Sequence, residues 1–182
     1  SAPGFDLARD FLVRLLVQTN RLPEALEHAE ALAASPVKSP AHDLLRASVL
    51  VRLGLQEQAR EIYERLLELH PDQPQVWQNL GHVQKTLGAQ ADAVHAYRQA
   101  VARQPTMGEA WWSLANLKTV KLDSGDVAAM QAALGALEPD QDQRREDLFH
   151  LHYALGKALE DAGDYPASFH HYDQGARLRR SM

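Results

Sequence analysis

A spacing of 34 residues constrains this chain more than any other feature. Ala25, Ala59 and Ala93 are 34 apart, and so are Pro71, Pro105 and Pro139. Gly54 and Gly88 keep the same interval, each followed nine residues later by a tyrosine, Tyr63 and Tyr97. A third pair, Gly163 and Tyr172, repeats the nine-residue offset. Self-similarity at this length means stacked helical hairpins rather than one closed core, because each unit buries its apolar face only against its neighbours. Each marked place has a physical role in that scheme. Glycine supplies the left-handed residue that ends a first helix. Small residues at Ala47, Gly81, Ala115 and Gly156 let the second helix approach. Pro71, Pro105 and Pro139 stop the second helix before the next unit.

Units starting at Asp6, Pro40, Pro74 and Gly108 stay in phase without an insertion. A fifth starts seven residues late, at Phe149, since Gly81 to Ala115 is 34 residues but Ala115 to Gly156 is 41. The array therefore divides into 6–39, 40–73, 74–107, 108–141 and 149–182, with 142–148 as connector and 1–5 as a flexible or foreign lead-in; the charged run after Pro139 reads as that connector plus an extended start to the next helix. The third unit is the clearest: Trp77, Leu80, Gly81, Gly88, Ala93, Tyr97, Ala100 and Pro105 follow one another at the places of a tetratricopeptide repeat (TPR), which this segment resembles. The resemblance implies an all-α, right-handed α-solenoid of five helix–turn–helix units, about ten helices and no strands. Units one and four depart from the pattern. Asn20 takes the turn place in the first. Leu122 takes it in the fourth, where Asp123-Ser124-Gly125-Asp126 reads as a loop and helix cap and displaces the second helix by about a residue.

Composition narrows the function. With 24 acidic against 19 basic residues the chain carries no nucleic-acid footprint. It has no cysteine, which removes thiolate ligands, disulfides and cysteine nucleophiles. No apolar run approaches the roughly 18 residues of a membrane span, and a cytoplasmic location is expected. Nine histidines invite a metal reading, but His150 and His152 diverge by about 200° on a helix, and adjacent His170 and His171 diverge as well. No metal is expected, and His152, at the place of Trp77 and Trp111, reads as a packing residue. Glu160, Asp161 and Asp164 read as a solvated helix end and an N-cap rather than catalytic acids.

Two stretches go beyond a generic repeat. Gly108-Glu109-Ala110-Trp111-Trp112-Ser113-Leu114-Ala115-Asn116-Leu117-Lys118-Thr119, and the segment from Leu151 to Arg180, resemble the TPR segment of proteins in which such repeats precede a sulfotransferase domain of the protein-tyrosine-sulfotransferase-like kind. One departure is Gly175-Ala176, where that family tends to carry Gly-Asn. The resemblance implies a non-catalytic N-terminal part of a longer enzyme, with any sulfate-donor nucleotide bound downstream. Neither a glycine-rich phosphate loop nor a Walker-type GxxxxGK[ST] occurs in these residues, so no cofactor is expected here.

The expected function is protein or peptide binding. In TPR arrays the first helices line the concave face, and the fifth and ninth places of a unit lie one turn apart on the same side. Those places are Gln78 with His82, Trp112 with Asn116, and Tyr153 with Lys157; Lys85 and Thr119 follow three residues on. Two aromatic anchors among polar donors suit an extended peptide. The alternative for the same residues is that Trp112 and Tyr153 simply pack between helices. A carboxylate clamp of the co-chaperone kind is not expected, because only Asn116 and Lys157 fit its places. A free-standing adaptor is the competing reading of the whole chain, and the exposed array ends are candidate surfaces for pairing two copies.

Overall fold

The computed structural model describes residues 3–37, 39–137 and 142–181, and among these it contains ten helices and no strand. They are α1 (Pro3–Gln18), α2 (Leu22–Ala33), α3 (Pro40–Arg52), α4 (Gln56–Leu69), α5 (Pro74–Thr86), α6 (Gln90–Arg103), α7 (Gly108–Ala115), α8 (Ser124–Ala136), α9 (Asp142–Asp161) and α10 (Tyr165–Arg180). The chain packs as two units: the residues up to Asp72 with His82–Ala89, and Gln73–Gly81 with those from Gln90 onward.

Four of the five turns within helix pairs share one construction. Asn20, Gly54, Gly88 and Gly163 all adopt positive φ, at 58°, 79°, 81° and 83°. After each, the next backbone N–H returns to the carbonyl five residues back: Arg21 to Leu16, Leu55 to Leu50, Ala89 to Gln84 and Asp164 to Leu159. This is the Schellman closure, which satisfies carbonyls that a helix end leaves open. Asparagine can stand in at Asn20 because it tolerates the left-handed region better than other residues with a side chain. Pro23 and Pro166 sit in the first turns of α2 and α10, where a missing N–H costs nothing. Pro139 lies outside the described residues.

In the first unit α1 packs on α2, α2 on α3 and α3 on α4. Val13, Leu16, Ala25, Ala29, Leu32, Leu45 and Val49 form the core of its first three helices. The Ser35 hydroxyl, just past α2, donates to Asp6 Oδ2 at 2.7 Å and ties that end back to α1. The lead-in is shorter than expected, because α1 already starts at Pro3. Proline favours a first helical position, so residues 3–5 join the helix.

The second unit shows why the small residues and tyrosines recur together. A Cβ on Gly81 would stand 2.6 Å from the Tyr97 ring, and one on Gly156 would stand 2.8 Å from the Tyr172 ring. Each tyrosine packs its ring against the helix that precedes its own. Pro105 ends the second helix of its pair, and its carbonyl accepts the indole N–H of Trp111 at 2.9 Å. The helix expected to shift by about a residue, α8, does not shift. It starts at Ser124, two residues past Leu122, as α4 and α6 start two past Gly54 and Gly88. A full capping box between Asp123 and Asp126 holds that start, and Arg98 grips Asp126 from α6 through a pair of hydrogen bonds, one of 2.8 Å. Burial pushes the Asp126 carboxyl up, but the Arg98 guanidinium and the Asp123 N–H outweigh it and hold the group below its usual range.

The irregularity falls on α7 instead. Without a glycine at 122, a helix running on to that point would need leucine at positive φ, a cost of roughly 1–2 kcal/mol. The helix stops after Ala115 with Asn116 as its cap, and the following loop folds inward to bury Leu117 and Leu122 in the core. The described part of the expected connector 142–148 belongs to α9, which begins at Asp142 and packs its early turns on α7. The contact is direct: the Gly108 N–H donates to Asp147 Oδ1 at 2.9 Å.

Candidate functional site

Helix α9 places Phe149, Tyr153, Lys157 and Asp161 four residues apart, so all four project from one face. Trp112 of α7 meets the aromatic half of this stripe, its ring centroid 5.6 Å from that of Tyr153. Phe149 stands edge-on to Tyr153 at 6.0 Å, and Tyr172 of α10 tilts against Tyr153, also at 6.0 Å. All these separations suit offset or edge-on ring packing. The rings are half-buried and, with His150 and Arg179, line an open cleft of about 620 Å³.

Polar contacts fix the cleft walls. The Tyr172 hydroxyl donates to Glu160 Oε2 at 3.0 Å. Burial and that carboxylate together raise its pKa, so the phenol stays protonated. Burial lowers the pKa of His150, against the opposing pull of Glu109 and Glu146. A second cleft of about 390 Å³ adjoins the charged half of the stripe. Its lining includes Asn116, Leu117, Lys118, Val120, Lys121, Lys157 and Asp161, and Lys157 is ion-paired with Asp161 one turn on.

The eight residues expected to form a groove divide. Trp112, Asn116, Tyr153 and Lys157 come together along α7 and α9 in the second unit, lining the two clefts. Gln78 is only 3% exposed and donates to Glu109 Oε2 at 2.7 Å, so it braces α7 rather than facing a ligand. His82 and Lys85 belong to the first unit. Thr119 is exposed but sits in the loop after α7, so the helical spacing that placed it does not apply. Phe149, His150, Tyr172, Arg179, Lys118 and Lys121 were not among the expected residues. Extending the four-residue stripe back from Tyr153 would have found Phe149. Tyr172 was read only as a repeat tyrosine.

Histidines that diverge along one helix meet across two. His152 Nδ1 on α9 lies 3.0 Å from His171 Nδ1 on α10, with ring centroids 5.2 Å apart. His152 is half-buried, as its packing role required. Among the described residues no group of three or more His, Asp or Glu side chains could hold a metal ion. One nitrogen of the pair donates and the other accepts, so protonating the accepting Nδ1 breaks the bond. Burial, then His171 and His170, pull the pKa of His152 down to about 4, and burial with His170 lowers that of His171. The unfolded chain therefore binds more protons between about pH 4 and 6.5, and stability is lost as pH falls through that window. His152→Gln is expected to flatten the fall in urea midpoint between about pH 7 and pH 5. An unaltered slope would mean the pair does not share a proton.

Asp164 caps α10 by accepting the Ala167 N–H at 3.2 Å, which is the structural role read for it. Glu160 and Asp161 hold Tyr172 and Lys157. No helix among the described residues is long and apolar enough to cross a membrane.

Stacked helix pairs, Schellman turns and tyrosine-on-glycine packing define a repeat protein of the TPR class. Family models described as tetratricopeptide repeat match residues 40–83 and 74–107, and the chain carries a TPR domain with an all-α solenoid fold. Tetratricopeptide repeat protein 7A of Homo sapiens is 33% identical over 85 residues, 47% of this chain and 10% of that protein, so the chain spans about a tenth of this relative's length. Two solved structures share the fold. BtubC (BKLC) from P. vanneervenii aligns with a TM-score of 0.70 at 19% identity, covering 94% of this chain and 78% of that one. MamA from Desulfovibrio magneticus RS-1 aligns at 0.65 and 19% identity, covering 97% and 96%.

Proposed function

We propose that the chain is a protein-interaction module whose α7–α9–α10 face holds an extended peptide. The observation that carries this reading is the half-buried aromatic cluster of Trp112, Phe149, Tyr153 and Tyr172 lining one cleft, with Lys157 and Asp161 of the same α9 stripe lining a second. Rigid rings with one wet edge are the side chains that anchor partners at low entropic cost. A TPR-like chain of related fold, PcrH, was solved in complex with the chaperone binding region of PopB, at TM-score 0.54 and 18% identity. That precedent supports a partner segment as the occupant.

Screening a random peptide display library against the chain tests the reading. Selected peptides are expected to lose about tenfold or more in affinity with Trp112→Ala or Tyr153→Ala, as truncated anchor residues do. Binding unchanged in both variants would remove the groove.

The finer reading, that the module is the non-catalytic partner of a sulfotransferase-like domain, rests on the sequence of residues 108–119 and 151–180. A reading frame that continues into a strand–loop–helix phosphate site supports it, and a stop near Met182 favours a free-standing adaptor. Pairing of copies is a separate proposal. Its basis is the exposed apolar face of Phe5, Leu7, Phe11, Leu12 and Leu15 on α1, with Tyr165 and Phe169 exposed on α10. Sedimentation over a concentration series decides it: a monomer throughout removes it.

A further inference from the structure

We infer that this groove selects a peptide carrying an aromatic or large aliphatic residue and, about four residues away, a pair of acidic residues. The inference rests on the peptide-binding reading of the same face and adds the chemistry of the occupant. Its basis is the way charge is laid out along the α9 stripe. One end is the ring-lined cleft of Trp112, Phe149, Tyr153 and Tyr172. Charge there leans negative, since Arg179 faces the cleft while Glu109 and Glu146 both act on His150 and Glu160 accepts the Tyr172 hydroxyl. The other end gathers Lys118, Lys121 and Lys157 against the single acid Asp161.

That concentration of positive charge stands out in a chain of net charge −5. Asp161 already pairs with Lys157, and among the described residues no carboxylate pairs with Lys118 or Lys121. Both lysines are exposed, on the loop that α7 leaves by stopping early. The early stop therefore puts two uncommitted ammonium groups beside the groove, where a full-length first helix would have continued. Apolar rings at one end and uncommitted cations at the other complement an occupant that is apolar at one point and acidic at another.

The spacing follows from helix geometry. Phe149 and Lys157 are eight residues apart on α9, about 12 Å along its axis. An extended peptide advances roughly 3.3 Å per residue, so about four residues separate an anchor over the rings from acids over the lysines.

The test uses the full chain and fluorescein-labelled synthetic peptides. Each holds one tryptophan and a Gly-Ser-Gly spacer ending in Asp-Asp, Ser-Ser or Lys-Lys, made in both chain directions. Anisotropy is read at about 0.05 M and about 0.5 M salt. The Asp-Asp peptide in one direction is expected to bind at least about tenfold tighter than the Lys-Lys peptide at low salt, the gap narrowing at high salt. The double variant Lys118→Glu, Lys121→Glu is expected to abolish that preference. Both substitutions are at exposed loop positions, and helical circular dichroism confirms folding. Equal binding of all three peptides, or a preference that survives the charge reversal, overturns the inference. If these peptides still need Trp112 and Tyr153, the groove itself stands. Absence of binding by every peptide overturns the stated chemistry, whereas binding indifferent to Trp112→Ala and Tyr153→Ala removes the groove as well.

Discussion

Tyr97→Ala is expected to lower the stability of the second unit by about 3–5 kcal/mol, the range for emptying a fully buried aromatic site. The Tyr97 side chain is 0% exposed, and burial pushes its phenol up to about 12. Its ring lies where a Cβ on Gly81 would come within 2.6 Å, so truncation leaves a void against a residue with no side chain to fill it. The converse substitution tests the same contact from the other side. Gly81→Ala gains up to about 1 kcal/mol of helix propensity but drives a methyl into a ring with no room to turn, an overpacking cost of roughly 1–3 kcal/mol. Combining the two separates these effects. In the Tyr97→Ala background Gly81→Ala is expected to become neutral or stabilising, a coupling of about 1–3 kcal/mol. Trp77, Trp111 and Trp112 all lie in this unit, so tryptophan fluorescence during urea unfolding reads it directly. Additive costs would mean that ring and glycine do not touch.

That contact also explains how much of the fold could be read from residues alone. Gly81 and Tyr97 are 16 residues apart and recur as Gly156 and Tyr172, so the requirement for a small residue beneath a ring appears as a spacing. The turn residues are legible for a similar reason: positive φ at Gly54, Gly88 and Gly163 leaves few alternatives to glycine, and Asn20 is the substitute that conformation allows. What escaped notice depends on contacts that do not repeat. His152 finds His171 across a helix pair, whereas spacing along one helix only showed that neighbouring histidines diverge. Gln78 looked like a groove residue because its place faces that side in an ideal unit, but it is used up by Glu109. Helix α7 loses its last turns to the burial of Leu117 and Leu122, an energetic choice that a missing glycine permits but does not specify. Trp112 and Tyr153 share a place in successive units, which named both as anchors, but their ring contact was not read from that place.

Gly108→Ala is expected to be as damaging as any single methyl added to this chain. A Cβ at this residue would lie 2.1 Å from the carbonyl oxygen of Asp147 and 2.8 Å from its carbonyl carbon and Cα. These are backbone atoms inside a 20-residue helix, so no rotamer change relieves the clash. Relief requires the start of α7 to move off α9, which also stretches the 2.9 Å bond from the Gly108 N–H to Asp147 Oδ1. Asp147 depends on that bond: burial raises its pKa, and the Gly108 N–H opposes the rise. Overpacking of roughly 1–3 kcal/mol, with a weakened hydrogen bond to a charged group added, puts the expected loss near 3 kcal/mol or above. Gly135→Ala is the matched control. It lies in α8 with nothing within 4 Å of a built Cβ, and should gain up to about 1 kcal/mol from helix propensity alone. The same displacement reaches the groove, since α7 carries Trp112 and Asn116 while α9 carries Tyr153 and Lys157. Peptide affinity should therefore fall in Gly108→Ala under conditions where the chain is still folded, and stay unchanged in Gly135→Ala. If the two alanines instead shift the urea midpoint in the same direction, the close approach of α7 to α9 at Asp147 does not exist in solution.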